Sequence, residues 1–341
     1  MNMLINKYDK KKSIMIVFLT MLALVIFVGN TDNADFANLE NRYLYGDWDD
    51  YSQNPGFYLV ARILRGVGFS YFWFHAIEAV IGIMLLARFL KRYSNNPAIT
   101  FFLYMIYPFL LDIVQIDNFL SYVIVLNGFK FLEAEDKMKT IKYILIIFLA
   151  SLFHGMALIY LIFLLVKVKK VKNILLTVIL ICGLLYVNIQ TLPNIIAYLP
   201  FFSKYSNQLR FYLTYKSEFQ NGAFLYVILS SFMAFIAIIF YRRSLKCKII
   251  SEHEFFLLKL IIISICFSFF IIIHGEFVRL IRNMWIIYYC YFCIKKSFLI
   301  TIFKKTIIVL FAVLLFLHEL RPGTFYYENV TLRIFKNNVF W

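Results

Sequence analysis

The segment 271–291 combines residue types that could bind an anion at a membrane surface. Glu276, Arg279, Arg282 and Trp285 recur at intervals of three, and residues three or four apart are neighbours on one face of a helix. An arginine in a bilayer-spanning helix costs ~2.5–3.5 kcal/mol, so it either pairs with a carboxylate at the interface or faces a wet cavity. An interfacial Glu–Arg pair and an anion clamp both fit this pattern, and we favour the clamp.

The composition places this segment in a membrane protein. The chain has 341 residues, is 62% hydrophobic and has a mean hydropathy of +0.76. Apolar runs long enough to cross a bilayer recur from end to end, which predicts an all-α polytopic integral membrane protein with a single membrane domain, 1–341. The formal charge of +16 comes largely from basic residues in short connections between the apolar runs. That distribution follows the positive-inside rule and indicates no nucleic-acid partner.

The first part of the chain predicts one span, an external loop and a return span. Residues 1–12 are basic and precede the apolar run 13–29, which we interpret as an uncleaved first span with a cytoplasmic N-terminus, because no small-x-small cleavage site follows. The loop 30–70 is acidic and therefore external, and its residues 57–68 have the pattern of an amphipathic helix on the outer interface. The return span, 71–90, has Arg88, Lys91 and Arg92 at its cytoplasmic end.

Two stretches do not fit single spans. Residues 97–132 would make a helix of about 54 Å, so we predict two short helices that meet near Pro108 and Asp112 on the outer side. Residues 141–166 would reach about 39 Å as one helix, enough for a single tilted span. A hairpin that folds at residues 153–155 instead leaves every later basic connection on the cytoplasmic side, and the positive-inside rule favours the hairpin.

The rest of the chain predicts five further spans, which are 173–189, 223–240, 255–273, 279–294 and 300–317. The long connection 190–222 and the C-terminal tail 318–341 are then external. The total is about eleven transmembrane helices, including the short helix pairs. The five cysteines lie in or beside apolar segments, which argues against a disulfide framework.

Several short motifs in this layout resemble a known family. They are the start of the outer loop around Asp35, Pro55-Gly56-Phe57-Tyr58, Asp112-Ile-Val-Gln115-Ile-Asp117-Asn118-Phe119, Ala150-Ser-Leu-Phe-His154-Gly-Met-Ala157, and the helix from Arg279 to Tyr288-Tyr289. Together they are similar to EpsG-like polysaccharide polymerases, within the broader Wzy class. The resemblance implies a fold like that of the GT-C-like Wzy polymerases. It also implies an enzyme that joins oligosaccharide repeat units carried on undecaprenyl pyrophosphate, at the outer face of the bacterial inner membrane.

This chain departs from the family pattern at two places. The family commonly has an arginine in a Gln-x-Arg-Asn pattern, and Asp117 stands there instead. Lys130 lies too far along the same predicted helix to replace that arginine. A glutamate expected before the Gly-Phe pair is also absent, since Gln53-Asn54-Pro55 stands there. Another cation must therefore hold the pyrophosphate, or Asp117 has a different task.

The implied transfer needs cations for the pyrophosphate leaving group and a base for the acceptor hydroxyl. For the pyrophosphate we predict Arg279, Arg282 and Arg210, because arginine makes bidentate contacts to phosphate oxygens, and Tyr288 on the same helix as a further binding residue. An ordinary solvated loop charge is an equal interpretation of Arg210. For the base we name Asp35 first and Glu276 second. His154 is a candidate hydrogen-bond donor, although a histidine in an apolar turn is more often structural.

The remaining expectations concern ligands, partners and competing functions. Aromatic side chains of the outer loops could stack on sugars or form an interfacial belt; they are Tyr43, Tyr45, Trp48, Tyr205 and Tyr212. No metal-ligand spacing and no phosphate-cradling glycine loop is present, so no metal or other cofactor is expected. The expected partners are the lipid-linked oligosaccharide and membrane lipids, and whether a chain-length regulator joins them stays open. An O-antigen ligase, a repeat-unit flippase and a membrane acyltransferase remain alternatives.

Overall fold

The computed structural model describes residues 2–46, 54–133, 136–198, 204–215, 220–246, 251–294 and 298–341. In these ranges the chain is helical, and the β-structure consists of one isolated bridge between Asn30 and Asn338. Short 3₁₀ turns at Phe129–Phe131 and Gly275–Phe277, a long 3₁₀ helix at Gly155–Lys167 and a π turn at Tyr327–Thr331 interrupt the α-helices. In chain order the α-helices are α1 (Asn2–Gly29), α2 (Phe36–Tyr45), α3 (Pro55–Gly66), α4 (Tyr71–Tyr93), α5 (Pro97–Ile106), α6 (Phe109–Val114), α7 (Ile116–Gly128), α8 (Lys137–Ser151), α9 (Val171–Val187), α10 (Leu192–Ala197), α11 (Lys204–Thr214), α12 (Gln220–Lys246), α13 (Glu252–Ser264), α14 (Phe267–Ile273), α15 (Val278–Phe292), α16 (Phe298–Glu319) and α17 (Leu332–Lys336).

Four stretches of the described chain are long and apolar enough to cross a membrane: Tyr71–Tyr93, Gly222–Leu245, Glu252–Ile273 and Ile300–Glu319. They coincide with four of the predicted spans. Shorter apolar helices follow the same pattern at Ile14–Gly29, Pro97–Ile106, Gly155–Lys167 and Val171–Val187. The all-α class is confirmed for the described residues, and the four long apolar helices are compatible with a membrane protein, whereas the count of eleven spans stays a prediction.

The chain forms two compact units. The first comprises Met1–Leu161 and Phe292–Trp341, and the second comprises Ile162–Tyr291. In the first unit, α4 packs against α1 and α7, and α7 packs against α8. The buried ring of Phe27 near the end of α1 contacts three other helices, because it meets the rings of His75, Phe109 and Phe119 at centroid distances of 5.6–6.1 Å.

The hairpin predicted between residues 141 and 166 is present. α8 ends at Ser151, the 3₁₀ helix begins at Gly155, and the Tyr143 hydroxyl donates to the Tyr160 carbonyl across the two arms at 2.7 Å. A 3₁₀ helix rises about 2.0 Å per residue, so its 13 residues cover about 26 Å of a ~30 Å hydrocarbon core. The second arm therefore reaches further than an α-helix of equal length.

The prediction of two helices in residues 97–132 needs a correction, because the structure has three. α5 ends just before Tyr107 and Pro108, as expected where proline cannot continue a helix. A second break falls at Gln115, whose ψ of 55° is not helical and which joins α6 to α7. The Tyr104 hydroxyl donates to Asp112 Oδ2 at 3.0 Å and ties α6 back onto α5.

The helix predicted on the outer interface is α3. Its Phe57 and Ala61 are buried, whereas Leu59 and Ile63, one turn apart, are exposed. An exposed apolar stripe of this kind suits a helix that lies along a membrane surface. Arg65 fixes α3 to the end of α2 by donating from Nη1 to the carbonyls of Tyr43 and Leu44 at 3.0 and 2.8 Å.

The outer loop and the C-terminal tail meet beside the end of α1, in a contact that we call the tail clasp (residues 29–32 with 333–339). The Val339 N–H donates to the Gly29 carbonyl at 2.9 Å, and the Thr31 N–H donates to the Asn337 carbonyl at 3.2 Å. A Cβ atom at Gly29 would lie 2.1 Å from Asn338 Oδ1, so a side chain there would displace the clasp. The two segments therefore lie on the same side of the first unit, as the prediction of two external segments requires.

In the second unit, α15 is buried from Leu280 to its C-terminal end and is hydrogen-bonded to α12. The Tyr288 hydroxyl donates to the Ser230 carbonyl at 3.2 Å, and the Tyr291 hydroxyl donates to the Ala237 carbonyl at 3.0 Å. α12 also packs against α13, and α13 packs against α9. α12 and α14 also contact the 3₁₀ turn just before α15, where the candidate site lies.

Candidate active site

The connection between α14 and α15 is a tight turn capped by His274. α14 ends at Ile273, Gly275–Phe277 form one 3₁₀ turn, and α15 begins at Val278. The backbone N–H of Glu276 donates to Nδ1 of His274 at 3.4 Å. Because Nδ1 accepts this hydrogen bond, the neutral imidazole carries its proton on Nε2, which can donate to a ligand.

Burial favours the neutral form of His274. Its side chain is 4% exposed, and this burial lowers the pKa of the imidazole below its ordinary value. Glu276 acts in the opposite direction on the pKa, and Arg279 lowers it again. The turn thus holds a neutral hydrogen-bond donor beside an arginine.

Glu276 is the centre of the cluster. Its Oε2 accepts from the Tyr212 hydroxyl at 3.3 Å and from Nη2 of Arg279 at 3.4 Å, and its backbone carbonyl accepts from Nε of Arg279 at 3.1 Å. The Tyr212 ring lies against the His274 ring with centroids 4.5 Å apart. We call these four side chains (Tyr212, His274, Glu276 and Arg279) the turn cluster; it combines a cation, a carboxylate, an aromatic face and an imidazole N–H.

Exposure falls steeply along the predicted face of α15. The side chains of Glu276 and Arg279 are 44% and 20% exposed, whereas Arg282 is 3% exposed. Trp285 and Tyr288 follow deeper in the interior, and the Tyr288 hydroxyl is engaged by the Ser230 carbonyl. Arg279 is therefore the arginine of this helix that an incoming ligand reaches first.

Arg210 lies on α11, two residues before Tyr212. Its Nη2 donates to Asn194 Oδ1 on α10 at 2.7 Å. Residues two apart do not share a face of a helix, so Arg210 and Tyr212 point in different directions. Arg210 is exposed and belongs to the same unit as the turn cluster.

The two remaining predicted site residues lie in the first unit. Nδ1 of His154 accepts a hydrogen bond from the Met156 N–H at 3.3 Å, at the start of the long 3₁₀ helix. This contact corresponds to the structural interpretation of His154 that the sequence left open. Asp35 precedes α2, and its backbone N–H donates to Asn33 Oδ1 at 2.9 Å. Asp35 also interacts electrostatically with Asp117.

A second group of charges surrounds Asp117, at the position where the family commonly has arginine. Arg42 on α2 lies close enough to Asp117 to attract its carboxylate, and Asp35 and Glu78 lie close enough to repel it. Glu78 is 4% exposed on α4, and its Oε2 has no hydrogen-bond partner among the described residues. Asp117 thus has a neighbouring cation, Arg42, supplied by another helix.

The sequence reasoning missed Glu78, the capping role of His274 and the cluster role of Tyr212. A signal existed for Glu78, because a carboxylate within an otherwise apolar span is a functional candidate by default. Tyr212 had none, since it comes from a helix 62 residues before His274. Of the other aromatic candidates, Tyr43 is buried and donates to the Phe69 carbonyl at 2.7 Å, while Tyr45 is exposed. Trp48 and the side chain of Tyr205 lie outside the described residues.

These features define an all-helical membrane protein with arginine–carboxylate clusters at helix ends. Among the residues that the structure describes, no group of three His, Cys, Asp or Glu side chains is placed to hold a metal ion. The chain belongs to the EpsG family, whose model matches residues 11–321. No curated protein and no solved structure matches it significantly. Family membership supports a role like that of exopolysaccharide and O-antigen polymerases, with a lipid-linked sugar as substrate.

Proposed function

We propose that the protein is a glycosyltransferase that joins oligosaccharide repeat units carried on undecaprenyl pyrophosphate, at the outer face of the bacterial inner membrane. The observation that carries this proposal is the turn cluster at the N-terminal end of α15. Family membership supplies the substrate class, and the cluster supplies the groups that the reaction needs.

Arg279 holds the pyrophosphate. Its guanidinium now binds Glu276 through contacts of 3.1 and 3.4 Å, and the longer one is at the weak end of the range for a hydrogen bond. A pyrophosphate carries more charge than one carboxylate and accepts two parallel N–H bonds from arginine. The ligand therefore competes for Arg279, and Glu276 is released when it binds.

Glu276 is the acceptor-activating base. The oxygen of the acceptor hydroxyl forms a bond to the anomeric carbon of the donor sugar, while the bond from that carbon to the pyrophosphate oxygen breaks. The electron pair leaves with the pyrophosphate, where Arg279 balances its charge, and the hydroxyl proton passes to Glu276. Nε2 of His274 donates to a phosphate oxygen, and the ring of Tyr212 supports a sugar.

Asp35 is the second candidate base, because Asp35 and Asp117 lie beside Arg42 in the first unit. Glu276→Gln and Asp35→Asn separate the two. Both substitutions remove a proton acceptor with little change in volume. We expect Glu276→Gln to abolish polymerisation and Asp35→Asn to retain it. The opposite result would move the base to the first unit and leave the pyrophosphate role of Arg279 standing.

Deletion of the gene followed by gel analysis of the surface polysaccharide tests the function itself. We expect lipid core bearing a single repeat unit, because export and ligation persist when polymerisation alone is lost. Polymer that accumulates on its carrier lipid would identify a ligase, and absence of any external repeat would identify a flippase. An intact ladder with altered mobility would identify an enzyme that modifies the sugar.

A further inference from the structure

A second charged site lies in the first unit, between the C-terminal ends of α4 and α7. A cavity of about 260 Å³ opens there, with Arg88, Lys91 and Arg92 from α4 and Lys130 from the turn after α7 in its wall. Arg88 lies three and four residues before the other two α4 cations, so all three share one side of the helix. The cations thus converge from two segments on one concave space.

Positive charge dominates this cavity. Arg92 pairs with Glu133 at 2.5 Å, which neutralises one of the four cations. Among the described residues the wall contains no carboxylate, and its other polar groups are Tyr93 and Asn127. Among the described residues, three of the four cations in the wall therefore have no carboxylate partner, and a cavity with that charge attracts a polyvalent anion.

The walls of the cavity are held in place. The side-chain amide of Asn127 donates to the carbonyls of Leu85 and Val123 at 2.9 and 2.8 Å, which fixes α7 against α4. Lys130 Nζ lies 4.7 Å from the centroid of the Phe131 ring, and the Arg92 guanidinium lies 5.7 Å from that of the Tyr93 ring. Cations held over aromatic faces lose little freedom when an anion binds.

The positive-inside rule alone does not account for this arrangement. The rule requires basic residues near the cytoplasmic end of a span, and exposed cations such as Lys137 and Lys139 on α8 meet it without lining this cavity. The volume is smaller than the ~300–1,000 Å³ of sites for drug-sized ligands, so it suits a phosphate with part of a headgroup and not an oligosaccharide.

We propose that this cavity binds a phosphate group, carried by an anionic phospholipid in the leaflet at that end of α4 or by a soluble phosphorylated compound. Basic pockets between membrane helices commonly take lipid phosphates. The cavity is built from residues of the first unit, whereas the turn cluster belongs to the second, and the proposal does not depend on polymerase activity.

The test measures thermal unfolding of the full-length protein in detergent with added phosphatidylglycerol, phosphatidylcholine or inorganic phosphate. We expect phosphatidylglycerol to raise Tm by about 2–4 °C, saturably and less at high salt, and phosphatidylcholine to have no such effect. Arg88→Gln/Lys130→Gln should lose the shift. Lys137→Gln/Lys139→Gln, which removes the same charge outside the cavity, should keep it.

Each other outcome decides the proposal. A shift reproduced by inorganic phosphate alone would assign the site to a soluble phosphorylated ligand. An equal shift in the cavity variant and in its control, or no shift in the unaltered protein, would overturn the proposal. If the double variant does not fold, Lys130→Gln and Arg88→Lys are used singly, and each should weaken the lipid dependence of Tm; an unchanged dependence in both would also overturn it.

Discussion

At the scale of single residues, the turn cluster depends on which groups compete for Arg279. Its guanidinium is shared between the carboxylate and the backbone carbonyl of Glu276, so a phosphate must be a better partner than both. The cluster is only partly exposed, which strengthens charge-assisted contacts relative to those in open solvent. Arg279 is therefore the residue at which pyrophosphate binding is most directly tested.

Replacement of Arg279 by alanine should lower the rate of polymerisation by about 10- to 150-fold, because a hydrogen bond to a charged group contributes ~1.5–3 kcal/mol. Arg279→Lys should recover part of the rate, since lysine keeps the charge but loses the bidentate fork. Polymer length and amount in a deletion strain provide the measurement, with membrane content of each variant quantified by blotting.

Arg243→Ala is the matched control for that experiment. Arg243 is an exposed arginine near the C-terminal end of α12, in the same unit as Arg279. Full activity of a stably expressed Arg279→Ala protein would contradict the clamp and would favour the interfacial Glu–Arg pair.

The two nitrogen atoms of His274 can be tested separately. Asparagine can reproduce the acceptor at Nδ1 and glutamine the donor at Nε2. If the donor contacts phosphate, His274→Gln should retain more transfer activity than His274→Asn. Equal, full activity in both variants would leave His274 with a capping role alone.

The lowered pKa of His274 sets the sign of a pH effect. The unfolded chain takes up this proton near pH 6.5, whereas the folded protein does so only at lower pH. The contribution of neutral His274 to the free energy of unfolding should therefore be fully present above about pH 6.5. It should decrease as the pH falls from about 6.5 towards the pKa of His274 in the folded protein. His274→Asn should reduce the pH dependence of Tm. Thermal unfolding between about pH 5 and pH 7, around the ordinary histidine pKa of ~6.5, provides the measurement.

The sequence predicted Glu276 and Arg279 because their spacing is local. It did not predict Tyr212 as their partner, since the contact joins residues 64 apart and depends on where α11 lies within its unit. The environment of Asp117 was hidden for the same reason, because Arg42 and Glu78 come from other helices.

At the scale of helices, α3 can approach the turn after α8 closely because residue 56 is a glycine. The Gly56 N–H donates to the Leu152 carbonyl at 2.8 Å, and a Cβ atom at Gly56 would lie 2.8 Å from the Leu152 Cβ atom and 3.0 Å from its carbonyl oxygen. The break at residues 153–155 was predicted because only a hairpin there leaves every later basic connection on the cytoplasmic side. The 3₁₀ form of its second arm did not, because apolar periodicity alone does not separate the two helix types over 13 residues.

Gly56→Ala should destabilise the protein by about 1–3 kcal/mol, because the added methyl group forces α3 away from the hairpin turn. Gly66→Ala is the control on the same helix, since a Cβ atom there meets nothing within 4 Å. Thermal unfolding in detergent should show a lower Tm for Gly56→Ala and an unchanged or slightly higher Tm for Gly66→Ala. A similar Tm for both variants would show that the turn tolerates the added volume.

At the scale of the whole molecule, the membrane orientation rests on the distribution of basic residues, and the tail clasp adds a constraint. Arg333 pairs with Asp32 at 3.3 Å, so the outer loop and the tail must be on one side of the membrane. Lys137 begins α8 and the turn at Leu152 follows its other end, so Lys137 is the marker that we choose for the opposite side of the membrane.

Single cysteines at positions 32, 333 and 137 provide the measurement. In right-side-out vesicles, a membrane-impermeant maleimide should label Asp32→Cys and Arg333→Cys, and Lys137→Cys only after permeabilisation. The unaltered chain gives the background of the native cysteines. Labelling of 32 and 333 from opposite sides would contradict the clasp, whereas a fully reversed pattern would invert the proposed orientation and keep the clasp.

The tail clasp also sets an order of events during synthesis. Thr31 and its partner Asn337 are 306 residues apart, which at roughly 5–20 residues per second corresponds to about 15–60 s of translation. Through that interval the end of α1 has already been synthesised, while the tail residues 333–339 that contact it do not yet exist. A chain whose synthesis stops within α16 therefore has a first helix without its closing contacts, because the residues of the tail that supply them have not yet been made.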